Sequence, residues 1–134
     1  AFSRLLCVKA PYFGSISPVF DELRPAYCEI RMSKRRGVLN HLGTVHAIAM
    51  CNMAELAGGT MTEVTVPSTH RWIPKGMTVE YLKKATTDLV AVATPMSEPD
   101  WSVAGEYPVR VVVSDTSGTP VFQAIISMWV SPKK

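Results

Sequence analysis

The sequence predicts an α+β fold in which one long central helix is wrapped by a curved antiparallel sheet of five or six strands. Three observations carry that expectation. The seventeen residues from Thr44 to Thr60 contain a single charge, Glu55. After Gly59 the chain becomes strand-like and stays so, rich in valine, isoleucine and aromatics. Asp115-Thr116-Ser117-Gly118 stands between two such runs as a hairpin turn signal.

Taken in order, residues 2–9 have the apolar spacing of a short helix ending before Pro11. Pro11 to Pro18 reads as irregular chain. From Ala26 to Ser33 the side chains alternate, with Cys28, Ile30 and Met32 on one side and Tyr27, Glu29 and Arg31 on the other, so a half-buried strand is expected. A basic loop, 34–37, leads to the helix. Thr44 is its expected N-cap, and Gly58-Gly59 its expected stop. Residues 62–66 and 68–73 are weak strand candidates, broken by Pro67 and Pro74. Met77–Lys84, Leu89–Pro95, Tyr107–Ser114 and Val121–Val130 are stronger ones. With 134 residues, one domain spanning 1–134 is expected.

Bulk properties narrow the function classes. The apolar fraction is 47% and the charged fraction 19%, the balance of a globular chain rather than a disordered one. No apolar run approaches a membrane span, and no basic n-region with a following h-region opens the chain. Cys7, Cys28 and Cys51 are odd in number and widely spaced, which argues for free thiols and a cytoplasmic setting. The net charge is +3, and its tight clusters, Lys34-Arg35-Arg36 and Lys83-Lys84, lack interleaved aromatics. Nucleic acid is therefore not an expected partner. Neither is a metal, because His41, His46, Cys51 and Glu55 do not share a helical face.

A helix apolar all round must be covered all round. One sheet covers one flank, so the other flank and a free sheet edge call for a second copy of the chain. A lone carboxylate in such a helix must be neutralised, paired or used. Glu55 is on those grounds the first candidate functional residue.

The residues around it resemble a hotdog-fold acyl-CoA thioesterase of the PaaI-like branch, in an uncharacterised subfamily. Asn40, Gly43, His46 and Glu55 fall at the spacing of that family's helix signature. The stretch Gly76-Met77-Thr78-Val79-Glu80-Tyr81-Leu82-Lys83-Lys84-Ala85 is similar to its strand ending in a Tyr-Leu-Arg-Pro-Ala-like phrase, and Val111–Val130 to its last hairpin. The likeness covers roughly residues 25 to 131. One departure is marked: Ala47-Ile48 stands where the family has Gly-Gly after the histidine.

The resemblance implies thioester hydrolysis across a homodimer or a dimer of dimers, with coenzyme A as part of the substrate and no separate cofactor. A helix N-terminus offers free amides and roughly half a positive charge. The amides near His46 and Ala47, with the Asn40 side chain, would bind the developing oxyanion. Glu55 would act as general base on water, or as nucleophile through a mixed anhydride, with its pKa raised by an apolar setting. Gly43, Ile48 and Thr78 are expected to line the acyl site, Thr78 as a water-holding hydroxyl. Lys83 and Lys84 are the candidates for the CoA phosphates. Geometry adds a constraint of its own. Ala47 and Glu55 lie eight residues apart, about 12 Å along one helix. His46 and Glu55 point in opposite directions, since nine steps of about 100° make half a turn. The acid must then come from the neighbouring subunit.

Structural readings stand beside these. Glu55 pairs with Arg31 or Arg71, His46 is a packed core histidine, and Asn40 and Gly43 form only a turn and helix entrance. Trp72, Trp101 and Trp129 are core or interface aromatics, and the lysines are solvated. A non-catalytic acyl-CoA or fatty-acyl binding protein is the alternative function, and Ile48 is the feature that favours it. A purely structural dimer would follow if Ile48 plugged the helix start.

Overall fold

The computed structural model describes residues 16–35, 38–41 and 43–133. The helix expected at 2–9 and the irregular stretch from Pro11 lie largely outside them, as does Cys7. Six strands and one helix follow in the order β1 (Val19–Arg24), β2 (Tyr27–Met32), α1 (Ala47–Thr65), β3 (His70–Tyr81), β4 (Leu89–Pro95), β5 (Gly105–Ser114) and β6 (Pro120–Pro132). The strands form one antiparallel sheet, ordered β1-β2-β4-β5-β6-β3. It curves around α1 without closing, so β1 and β3 remain its edges. This is the hotdog arrangement.

Alternation explains the inner face. Cys28, Ile30 and Met32 on β2, Leu89, Ala91 and Ala93 on β4, Val109, Val111 and Val113 on β5 and Ala124, Ile126 and Met128 on β6 are buried. Their partners in sequence point away. Against this face α1 lays Met50, Met53, Ala54, Leu56, Ala57, Gly58 and Met61. Small residues on both surfaces bring helix and sheet together. A Cβ built on Gly58 would stand 2.8 Å from Ile126 Cδ1 and 3.6 Å from Val111 Cγ2, so any side chain there would have to displace the end of Ile126.

That contact corrects the expected helix end. Gly58-Gly59 is no stop, and α1 runs to Thr65 with Val66 as its C-cap and Pro67 just beyond. The stretch 62–66 is thus the last helical turn rather than a strand. Thr62 Oγ1 donates to the Gly58 carbonyl at 2.8 Å and Thr65 Oγ1 to that of Met61 at 2.5 Å, which satisfies two hydroxyls without breaking the helix. Thr65 Oγ1 also accepts from the Ala26 amide at 2.8 Å and so ties the β1–β2 turn to the end of the helix.

Two strands differ from expectation. β1 carries a register shift between Phe20 and Glu22, which erases the alternation that would announce it. β3 is one strand of twelve residues, where the sequence suggests two pieces separated at Pro74. A bulge between Pro74 and Gly76 absorbs the proline, and an edge strand tolerates the missing N–H.

No helix among the described residues is long and apolar enough to cross a membrane. Cys28 is buried on β2, and burial pushes its thiol up to about 12.

Two outcomes test this packing. Gly59→Ala meets Trp72 Cη2 at 3.4 Å, an ordinary contact, so it is expected to raise unfolding free energy by up to ~1 kcal/mol through helix propensity alone. Gly58→Ala has the same propensity gain but overpacks against Ile126, at a cost of ~1–3 kcal/mol, and is expected to be neutral or destabilising by denaturant titration. The Cys28 thiol ionises near 9.0 when exposed and near about 12 when folded. The unfolded chain therefore releases its proton first, and the contribution of Cys28 is complete below pH 9.0 and lost as pH rises toward about 12. Unfolding titrations across that window should show a shallower loss in Cys28→Ala.

Candidate functional site

The approach to α1 is built as a tied loop. Leu39 bridges Val45, and the Val45 amide donates to the Ala85 carbonyl at 2.8 Å. These bonds hold the chain extended to residue 45, so Thr44 cannot cap the helix. His46 does: at φ −65° and ψ 137° its Nδ1 accepts from the Ile48 amide at 3.0 Å. The His46 amide itself donates to the Val38 carbonyl at 2.7 Å, which removes it from the expected oxyanion donors. Ala47 is then the first helical residue, and its N–H has no partner within the helix.

Asn40 serves the same loop. Its Oδ1 accepts from the Thr44 amide at 3.1 Å, and its Nδ2 donates to Thr44 Oγ1 at 2.8 Å. The Gly43 amide donates to the Asn40 carbonyl at 3.1 Å, with Gly43 at φ +80°. That backbone conformation favours glycine. Asn40 and Gly43 thus form the turn and helix entrance and place the helix start.

A cavity of about 360 Å³ opens there, lined by Asn40, Ala47, Tyr81, Lys83 and Lys84 among others. Four of the residues singled out from the sequence thus meet around the electropositive end of α1. Tyr81 was not among them. It ends β3 on the inner face, packs edge-on against Phe122 at 5.6 Å, and sets its hydroxyl 3.6 Å from Cys51 Sγ. Hydrogen bonding to Cys51 first, and burial second, hold that hydroxyl above the usual tyrosine range.

Glu55 is elsewhere. It lines a second, apolar groove of about 450 Å³ farther along α1, with Leu56, Gly59, Trp72, Pro74 and Met128. The expectation that Glu55 is buried fails within one chain, because its side chain is exposed. It has no ion pair among the described residues: Arg31 bonds Asp21 at 2.6 Å and Arg71 reaches Ser131 Oγ at 3.4 Å. Ile48, 61% exposed, stands on the same helical stripe as Glu55 and does not plug the helix start. Ile48, Cys51, Glu55, Gly59 and Glu63 recur at three- and four-residue intervals along this stripe. The edge strand β3, with exposed Ile73, Met77 and Tyr81, runs beside it.

Thr78 is brought to neither cavity. It pairs with Ile125 and so faces outward from the sheet, away from α1. Among the described residues no group of three or more His, Cys, Asp or Glu is placed to hold a metal ion.

Nothing matches among curated protein sequences. Among solved structures, a structural-genomics protein is 57% identical, at a TM-score of 0.91 over 98% of this chain and 88% of its own. A protein of unknown function from Pseudomonas aeruginosa is 22% identical, at a TM-score of 0.85 over 98% of this chain and 93% of its own. A thioesterase from Haemophilus influenzae is 12% identical, at a TM-score of 0.83 over 96% of this chain and 87% of its own. The last two show a shared fold. The match over residues 1–130 to DUF4442, a domain of unknown function, settles the family: the chain belongs to it.

Proposed function

We propose that this protein hydrolyses acyl-CoA thioesters in the cytoplasm as a homodimer or dimer of dimers, each site shared between two copies. The observation that carries the proposal is the separation of the two cavities. The helix start, beside Lys83 and Lys84, and the exposed carboxylate sit about 12 Å apart along one rod, from Ala47 to Glu55. A single carbonyl cannot use both. A second copy laid antiparallel along the uncovered stripe brings the N-terminus of its helix to Glu55. That docking also covers Ile48 and Cys51 and shields the long edge of β3. Relatives in fold named as thioesterases, from Haemophilus influenzae and Silicibacter pomeroyi, support the reaction class. The free thiols of Cys28 and Cys51 suit a reducing compartment.

In this reading the Ala47 amide and the helix dipole polarise the thioester carbonyl. Lys83 and Lys84 attract the CoA phosphates. Glu55 of the other copy takes a proton from water as its oxygen bonds to the carbonyl carbon. The tetrahedral intermediate then collapses, the C–S bond breaks, and the departing thiolate recovers that proton. A second reading, acyl-CoA binding without turnover, is favoured by one observation: the Asn40 side chain and the His46 amide are engaged in the loop, which leaves fewer oxyanion donors. Micromolar binding of an acyl-CoA with no thiol release would decide for it.

Two variants test the leading reading. Glu55→Gln sits at an exposed position, so it is expected to keep the fold and lower turnover by about 100-fold or more. Ala47→Pro deletes the oxyanion N–H at a position where proline fits a helix, after a residue already extended. It should keep the melting temperature within a few degrees and lower kcat by about 100-fold. Turnover of an acyl-CoA panel by either variant at the parental rate, read as free thiol, would remove that residue from the mechanism.

A further inference from the structure

We infer that the groove beside Glu55 takes the acyl chain, that its occupant is a straight apolar chain of about ten to twelve carbons, and that Gly59 and Val64 set this limit. The inference rests on the thioester reading above and names its substrate class. The groove lies between the second half of α1 and the inner face of β3, with Met128 of the sheet as its floor. Its walls are Leu23, Leu56, Val64, Trp72 and Pro74, and carboxylates occur only as Glu55 and Glu63. A volume of about 450 Å³ is in the range of small-molecule sites.

The wall is fixed rather than loose. Trp72 Nε1 donates to Glu63 Oε2 at 2.6 Å, so the one polar atom of the indole is used at the rim and its carbon face is left to the groove. A Cβ on Gly59 would touch Trp72 Cη2 at 3.4 Å. Glycine at 59 therefore lets the indole edge pack close to the helix, and a larger side chain there would push the indole or itself into the groove. Glu55 stands at one end and Val64 at the other, nine residues on, or about 13 Å at ~1.5 Å per residue. An extended chain advances about 1.1–1.2 Å per bond. The groove thus spans about eleven bonds.

Charge selects what stands at its mouth. The Glu55 carboxylate at the mouth of an apolar slot disfavours a free fatty acid, whose own anion would face it without a partner. A neutral thioester carbonyl meets no such penalty, and the carboxylate formed by hydrolysis is repelled outward.

The test compares parent, Gly59→Leu and Val64→Trp on saturated acyl-CoAs from four to sixteen carbons. Binding of non-hydrolysable dodecyl-CoA and butyl-CoA thioethers and of free dodecanoate is measured by calorimetry, and sedimentation is recorded for each variant. Val64 is exposed, so the second variant keeps the experiment informative if the first fails to fold. The expected parental kcat/KM peaks at ten to twelve carbons. The ratio of twelve- to four-carbon kcat/KM should fall at least tenfold in each variant, and dodecanoate should bind at least tenfold more weakly than the dodecyl thioether. A length profile unchanged in both variants overturns the assignment while leaving hydrolysis standing. A parent that hydrolyses nothing, yet binds the dodecyl thioether tenfold tighter than the butyl one and loses that gap in the variants, sinks hydrolysis and upholds the groove. Variants that become monomeric with an unaltered length profile make the groove a seat for the second copy and overturn it.

Discussion

The structure depends on how closely one helix can sit in the hollow of one sheet. At Gly58 the approach leaves a Cβ only 2.8 Å from Ile126 Cδ1, and the buried alanines Ala54, Ala57, Ala91, Ala93 and Ala124 keep both surfaces low. Larger buried side chains, Met50, Met53, Leu56 and Met61 on the helix, then fill the remaining space. Burial at this seam supplies the apolar driving force that a nineteen-residue helix with little intrinsic capping needs. Because the sheet curves but does not close, the same seam leaves the opposite stripe of the helix bare. The function proposed here grows from that bare stripe.

Chemistry is distributed along it by simple helical spacing. At one end lie the free Ala47 amide, the helix dipole and two lysines; farther along, a carboxylate opens onto an apolar slot. In the proposed function these are complementary halves of a thioester site, with charge stabilisation in one and base and acyl room in the other. Held on a rigid rod, they cannot fold back onto each other. In that proposal, association of two chains is the physical operation that joins them. In the proposed dimer the same association covers Glu55, which is exposed in the single chain.

Much of this was legible in the sequence where a strict period survives. β2, β4, β5 and β6 announce themselves by alternation because each has one face on the core. β1 does not, since its bulge breaks the period. β3 looks like two pieces because Pro74 normally ends a strand, and only its place at the sheet edge makes it permissible. The glycine pair resembled a helix stop because local propensity says nothing of a neighbouring Ile126. In the site, Ala47, Lys83 and Lys84 were recognisable from the helix-start signature and the phrase after it. Trp72 and Tyr81 were not. Their proximity to the helix stripe arises from the curvature that brings β3 back over α1, and no sequence spacing encodes it. Thr78, one position from the inward-facing Met77, was misplaced by the parity of the strand: a shift of one residue turns a side chain to the other face.

The most direct test of the central claim mixes two inactive proteins. Glu55→Gln lacks the base but keeps the helix start, and Ala47→Pro keeps the base but lacks the oxyanion amide. If a site is shared between copies, co-refolding the two at equal concentration yields mixed dimers, half of all dimers on statistical assortment, each with one intact composite site. Acyl-CoA hydrolysis should then return to about a quarter of the parental rate per subunit. Activity that stays at the sum of the two separate variants, in a mixture that sedimentation shows to have exchanged subunits, would contradict the account.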